Sequence, residues 1–474
     1  MQNLTSGSPT RLIVKFTLPL LVGNVFQQVY VFTDTAIVGR FLGLESLAAV
    51  GASGSLIFLL LGFSWGASAG LAIPVAKAFG ANDLAAMRRA VAAGAYLALM
   101  IAAVITAVGT LFAHDLLRLL NTPPEIIDQS ATYLAVTFAG AGAIVAFNFL
   151  AATIRALGDS KTPLYFLIAS SVVNAALVAV LVGWFNTGVG GAAAATIVAQ
   201  SAAVVGCIAL IVKRMPQLRL TRADWAAGLS PRAIGEPARN GLPMGFQMSV
   251  IAIGTLVLQF AINGLGATAV GAFTASVRVE QLAAAPLNSF GIAMVTFVAQ
   301  NRGACQWARI RRGTRQIALL SVGIALFLGM LLMVFSTAII GMFMAESNPE
   351  LLAMGRLYFQ IAGPLYPVLA LLFVYRAAVQ GMGLSSVPTL GGALELVMRA
   401  LAALVLIAHF GWIGAVLASP LAWFGGLAPV AIAWVGQRRL LLERERADVD
   451  RIAAATDSPL SLSADTRELS LVAP

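Results

Sequence analysis

Hydrophobic residues in this chain do not alternate with polar ones; they run on without a break. Twelve stretches stay apolar long enough to cross a bilayer, near 12–38, 53–78, 90–113, 130–153, 163–185, 189–212, 241–263, 268–299, 316–341, 356–379, 388–409 and 412–436. An apolar run of about 18 residues or more reads as a membrane-spanning helix. Lipid offers the backbone no hydrogen bonds, so only helices and closed barrels cross it. Barrel strands would alternate over about ten residues, and these runs are continuous. The pattern therefore predicts an all-α integral membrane protein with twelve transmembrane helices. One longer polar stretch, 213–240, follows the sixth run and reads as a cytoplasmic linker. It separates an N-terminal lobe, 1–212, from a C-terminal lobe, 241–436. The tail, 437–474, turns charged and then rich in Ser, Asp and Thr, a composition that buries no core and predicts partial disorder.

The two halves repeat. Leu18-Pro19 opens the first run and Leu242-Pro243 the seventh; Val50-Gly51-Ala52 returns as Val270-Gly271-Ala272. Gly80-Ala81 with Arg88-Arg89 returns as Gly303-Ala304 with Arg311-Arg312, and Arg155 to Gly158 before Pro163 as Gln380 to Gly383 before Pro388. The pairs keep one order and nearly one spacing. Six helices per half give both halves the same orientation, which predicts a pseudo-two-fold axis along the membrane normal. Transporters are commonly built so, with the substrate path between the halves.

Composition agrees: 59% of residues are hydrophobic and only 11% charged, against about 25% charged in soluble domains. The net charge of +10 does not point to nucleic acid, because the basic residues sit in short loops between apolar runs. Those loops alternate. One side gathers Arg11, Lys15, Lys77, Arg88, Arg89, Arg155, Lys161, the linker's six and the cluster from Arg302 to Arg315. The other side has Arg40, Arg118 and Arg356. An excess of Lys and Arg marks the cytoplasmic face, so both termini are expected in the cytoplasm and the chain in the inner (plasma) membrane. The first run reads as a retained helix, not a cleaved signal.

Ionisable residues inside a span are costly and by default functional. Asp34 is the one acid within the first six runs, with Tyr30 and Gln27 on the same helical face. A carboxyl group there can exchange a proton or hold a small cation; the competing reading is a solvated acid at a helix end. Asn174 and Thr196 are polar residues inside the fifth and sixth runs, able to complete an ion site or simply to bond between helices. The C-terminal half differs. Arg278, Glu280 and Gln281 lie in the eighth run, Arg376 in the tenth, and Glu395 and Arg399 at i, i+4 in the eleventh. Charges of both signs in three spans predict an ion-pair network, either structural or titrating during transport. Gln27, Tyr30, Glu280 and Gln281 are candidates to line a substrate cavity. Two histidines, two cysteines and no Walker sequence leave no catalytic cluster, metal site or bound ATP to argue from.

Several of these segments resemble the MATE multidrug and toxin extrusion transporters. The resemblance rests on Leu18 through Tyr30 and Asp34 through Arg40, then Ala49 to Ser53, Ala78 to Ala81, Arg155 to Pro163, Gly190 to Thr196, Arg278 to Gln281 and Glu395 to Arg399. It covers residues 10 to 437 and is closest to the bacterial branch with a first-helix aspartate. It implies two six-helix lobes and export of amphipathic, often cationic, small molecules in exchange for protons or sodium, with no other cofactor and no nucleic-acid partner. It implies an ion-coupling set of Asp34, Asn174 and Thr196. Many relatives place an aspartate four residues after that asparagine; here the position is Val178. Another branch uses acids in helices seven and ten for sodium, and neither run has one here, so a proton is the first choice. The expected protein is a monomeric, alternating-access antiporter. A lipid-linked oligosaccharide flippase of related architecture is the alternative, since Arg278, Arg376 and Arg399 could serve a cationic cavity. A membrane-embedded enzyme would need a catalytic cluster that the sequence lacks.

Overall fold

The computed structural model describes residues 3–120, 122–342 and 348–456. Among them every regular element is helical, as expected where backbone polar groups must be satisfied within each segment. The first lobe's spans are Pro9–Gly43 (span 1), Glu45–Gly80 (span 2), Leu84–Leu111 (span 3), Lys161–Gly183 (span 5) and Gly188–Arg214 (span 6). Span 4 is a pair, Pro124–Ala139 and Ala141–Ala156, bent by 49° at Gly140. The second lobe holds Pro231–Asn263 (span 7), Ala267–Gly303 (span 8), Trp307–Gly341 (span 9), Pro349–Gly381 (span 10), Ser386–Phe410 (span 11) and Trp412–Asp450 (span 12). Counting the bent pair as one gives the twelve spans that the hydrophobic pattern predicts.

The stretch 213–240 is mostly folded. It carries a short helix, Arg222–Gly228, whose N-terminus is closed by a capping box between Thr221 and Asp224, and span 7 begins ten residues before the apolar run, at Pro231. Hydrogen bonds from the Thr221 backbone and hydroxyl hold the Asp224 carboxyl below the usual range. The last helix also runs past the apolar stretch, to Thr456. Its charged extension docks on the start of span 9. Trp307 Nε1 donates to Asp448 at 2.9 Å, Arg444 lies over the Trp307 ring, and Arg311 pairs with Glu445. The remainder of the expected tail, 457–474, lies outside the described residues.

The repeat is written into the turns. Gly43 and Gly266, Asn82 and Cys305, and Gly188 and Gly411 each lie 223 positions apart, and each has a positive φ. Gly158 and Gly383, 225 apart, do too. A left-handed residue stops a right-handed helix, so both halves break their helices at matching places.

The lobes interlace. The half of span 1 nearer Gly43 packs through Val38 against Val178, Val182, Ala192 and Ala195 of its own lobe. Its other half, with Ile13, Phe16 and Leu20, and Leu4 just before it, packs instead with Phe290, Phe297, Ile317 and Val374 of the second lobe. Span 7 does the reverse: Leu258 and Ile262 join the second lobe's core, while Met244 joins the first's and Ile234 and Ala238 pack on it. The packing thus does not divide the chain at 213–240. Spans 1 and 7 exchange their basic-end halves.

That basic end is closed. Gly66 and Gly70 of span 2 lie so near Met244 and Asn240 of span 7 that a Cβ on either would overlap backbone. Toward the opposite end of span 2, Gly51 and Gly54 are exposed, and a Cβ there meets nothing within 4 Å. Asn24 bonds Ser289 at 2.8 Å, and Ser249 bonds the Leu59 carbonyl at 3.1 Å, both at mid-depth.

Candidate ion-coupling site

Span 1 carries Asp34 nine residues before the break at Gly43, about 2.5 helical turns inside. Asp34 is half-buried there, with its Oδ1 enclosed. Around it the spans bring three polar side chains together. Asn174 of span 5 donates Nδ2 to the Thr196 hydroxyl of span 6 at 2.9 Å. The Tyr30 hydroxyl, one turn before Asp34, lies 3.4 Å from the same oxygen. Thr196 also reaches the Ala192 carbonyl at 3.3 Å. A hydroxyl has one proton to give and two lone pairs to receive. Thr196 thus donates to Ala192 and accepts from Asn174 and Tyr30, which makes Tyr30 the donor in its contact. The arrangement leaves two buried acceptors, Asp34 Oδ1 and Asn174 Oδ1, with no partner among the described residues. A proton or a small cation satisfies such oxygens. Val178, four residues after Asn174, is fully buried in the apolar cluster beside this site. One carboxylate stands alone.

Sequence reading passed over Tyr133. Its phenol, on span 4, lies within electrostatic reach of both Asp34 and Tyr30. Gln27, a turn further along span 1, is half-buried.

The second lobe holds the charges grouped by sequence, in two clusters that Arg399 links. Glu395, 3% exposed, pairs with Arg376 and lies 3.9 Å from Arg399 on its own helix. Glu280 accepts a hydrogen bond from Tyr358 at 2.6 Å, and Arg399 is within its electrostatic reach. Tyr358 is fully buried, edge-on to Phe273 and Phe359, and the buried hydroxyl of Tyr366 nearby has no partner among the described residues. Arg278 is exposed and makes no ion pair among the described residues. It stands two residues from Glu280, and residues two apart do not share a helical face. Gln281 is exposed as well. Neither tyrosine could be singled out from sequence, because both sit in apolar runs that a tyrosine ring also suits.

The MatE family profile matches this chain twice, over residues 19–180 and 243–405. The chain belongs to the MatE family. The double match falls on the two halves and carries the pseudo-two-fold architecture with it. This MatE protein is a membrane transporter, not an enzyme. It is 28% identical over 383 residues to the probable multidrug resistance protein YpnP of Bacillus subtilis, covering 80% of this chain and 84% of that one. With the probable multidrug resistance protein NorM of Thermotoga maritima it shares 24% over 449 residues, 92% and 94% of the two chains. Among solved structures it resembles a MATE in the bent conformation, with a TM-score of 0.84 and 20% identity over 94% of this chain and 98% of that one. It likewise resembles an outward-facing multidrug resistance MATE family transporter, with a TM-score of 0.83, 20% identity and the same coverage.

Proposed function

We propose that this MatE protein exports amphipathic or cationic small molecules in exchange for protons, with Asp34, Asn174 and Thr196 as the coupling site. The observation that carries the coupling reading is two buried oxygens with no partner among the described residues, Asp34 Oδ1 and Asn174 Oδ1, in a cluster that Tyr30 and Thr196 hold together. Two matched relatives, YpnP and NorM, are named as multidrug resistance proteins, which supports drugs as cargo. With Val178 in place of a second acid, the site offers one negative charge, enough to trade a single proton. Gln27 and Tyr30 line the substrate path on the first lobe, Glu280 and Gln281 on the second.

The excess of Lys and Arg supports a cytoplasmic basic end, and the reading puts both termini there, the protein in the inner membrane of the cell, acting as a monomer. The closed basic end then makes this the outward-open state. Export requires only that the ion favour one of the two states over the other. The deciding experiment is dye efflux in inverted vesicles, energised separately by a proton and a sodium gradient. Proton-driven uptake supports the reading; uptake driven by sodium alone overturns the choice of ion.

A second reading comes from a relative in Shewanella oneidensis, an FAD transporter 23% identical over 393 residues. An anionic cargo of that kind, or a lipid-linked one, needs free cations. Arg376 and Arg399 are both tied to Glu395, which favours the cationic cargo; of the three arginines only Arg278, exposed and without an ion pair among the described residues, is left to serve an anionic one. Excess FAD in the efflux assay separates the two, since competition by FAD favours the anionic one.

A further inference from the structure

Spans 2 and 8 cross at the basic end through two glycines. A Cβ on Gly80 would overlap the carbonyl oxygen of Gln300, and a Cβ on Gly303 would overlap that of Lys77. Gly80 and Gly303 lie 223 positions apart, and so do Lys77 and Gln300. The two contacts are therefore one contact repeated by the pseudo-two-fold, and the axis passes between the two glycines. A contact on the axis, at one end of the molecule, must part when the lobes rock open there.

One side chain bridges the crossing. Gln300, fully buried, donates Nε2 to the carbonyl of Ala156 on span 4 at 2.7 Å. Its Oε1 accepts the backbone N–H of Leu4 at 3.1 Å, which fixes the way the amide faces. Leu4 is itself anchored to the second lobe, its carbonyl accepting from Asn301 and from Arg309, both at 3.1 Å. The position equivalent to Gln300 is Lys77, whose ammonium turns outward to Glu236 at 2.9 Å. The bridge thus exists on one side of the axis only.

We infer that Gly80 and Gly303 form the gate at the basic end, closed by direct backbone contact on the axis and pinned by the Gln300–Ala156 bond. Only a residue without a Cβ lets the two helices come this close. The inference deepens the exporter reading and rests on it for the direction of transport, while the gate itself can be read without any drug.

The test places spin labels on Cys305 and on Ala85→Cys, two exposed positions at the basic ends of the two lobes, with the buried Cys207 replaced by alanine. Double electron–electron resonance then reports their separation. Gly80→Ala and Gly303→Ala should each move the distance distribution to longer values, and Gln300→Leu should move it less. Gly54→Ala, which meets open space, should leave it in place. An unchanged distribution in folded Gly80→Ala protein overturns the gate. Where the alanine variants fail to fold, a short bismaleimide linking Cys305 to Ala85→Cys, with both glycines intact, should abolish export and spare drug binding from the outer side. Continued export with the ends linked overturns the gate. A distribution that shifts as expected in protein that exports no drug supports the gate and refutes the exporter reading.

Discussion

Asp34 and the arginine–carboxylate cluster are both charged groups in spans, yet the surroundings give them opposite tasks. Asp34 has a buried oxygen with no donor; Glu395 has two arginines. Asp34→Asn keeps the shape and removes the exchangeable proton. The variant should fold, bind drug and lose gradient-driven export down to background, measured as dye uptake at matched expression in inverted vesicles. Full export would move the coupling role to Glu280. Arg399→Ala should act on stability first, because taking one partner from a buried ion pair costs about 3–5 kcal/mol in soluble proteins. The expected outcome is a lower folded yield on size-exclusion chromatography, with drug selectivity unchanged in what remains. Normal yield with altered selectivity would place the cluster in the substrate path. The charged members of both sites were legible because a charge stands out in an apolar run. Tyr133 and Tyr358 were not, since a tyrosine among leucines looks like packing until a carboxylate is found near it: Glu280 bonded to Tyr358, Asp34 within electrostatic reach of Tyr133.

At the scale of the element, the helices follow from the hydrophobic runs and their ends follow from single residues. Gly43 breaks spans 1 and 2 with φ 83° and ψ −176°, a conformation that is essentially reserved for glycine. Gly43→Ala has room for its methyl, so its cost is purely conformational, about 1–3 kcal/mol. Thermal unfolding in detergent should show this as a lowered midpoint, whereas Gly51→Ala, helical and exposed, should hold or raise it. Equal midpoints would mean that the turn is not constrained. The twelve spans were readable because each is uniformly apolar; the same uniformity hid where they go. The two halves of span 1 look alike in sequence, but one packs with Val178 and the other with Phe297. Helix extensions such as 437–456 were missed for the opposite reason: their charge reads as tail, and only docking on Trp307 and Arg311 shows that the helix has something to hold.

For the whole molecule, orientation is the first thing to check. With the basic end in the cytoplasm, an impermeant maleimide added outside intact cells should leave the exposed Cys305 unlabelled, and the same reagent should label it in inverted vesicles. Rapid labelling from outside would turn the protein over. The exchange of spans 1 and 7 also bears on how the chain is made. Synthesis runs from the N-terminus, so Leu4, Ile13 and Phe16 leave the ribosome long before Phe290, Ile317 and Val374 exist to receive them. The first helix must wait in the bilayer with one half seated and the other uncommitted until about the tenth is inserted. An isolated N-terminal half has no core for that segment, and an isolated C-terminal half has a vacant groove in its place. Two such halves, expressed as separate polypeptides, would each lack part of a core until they met.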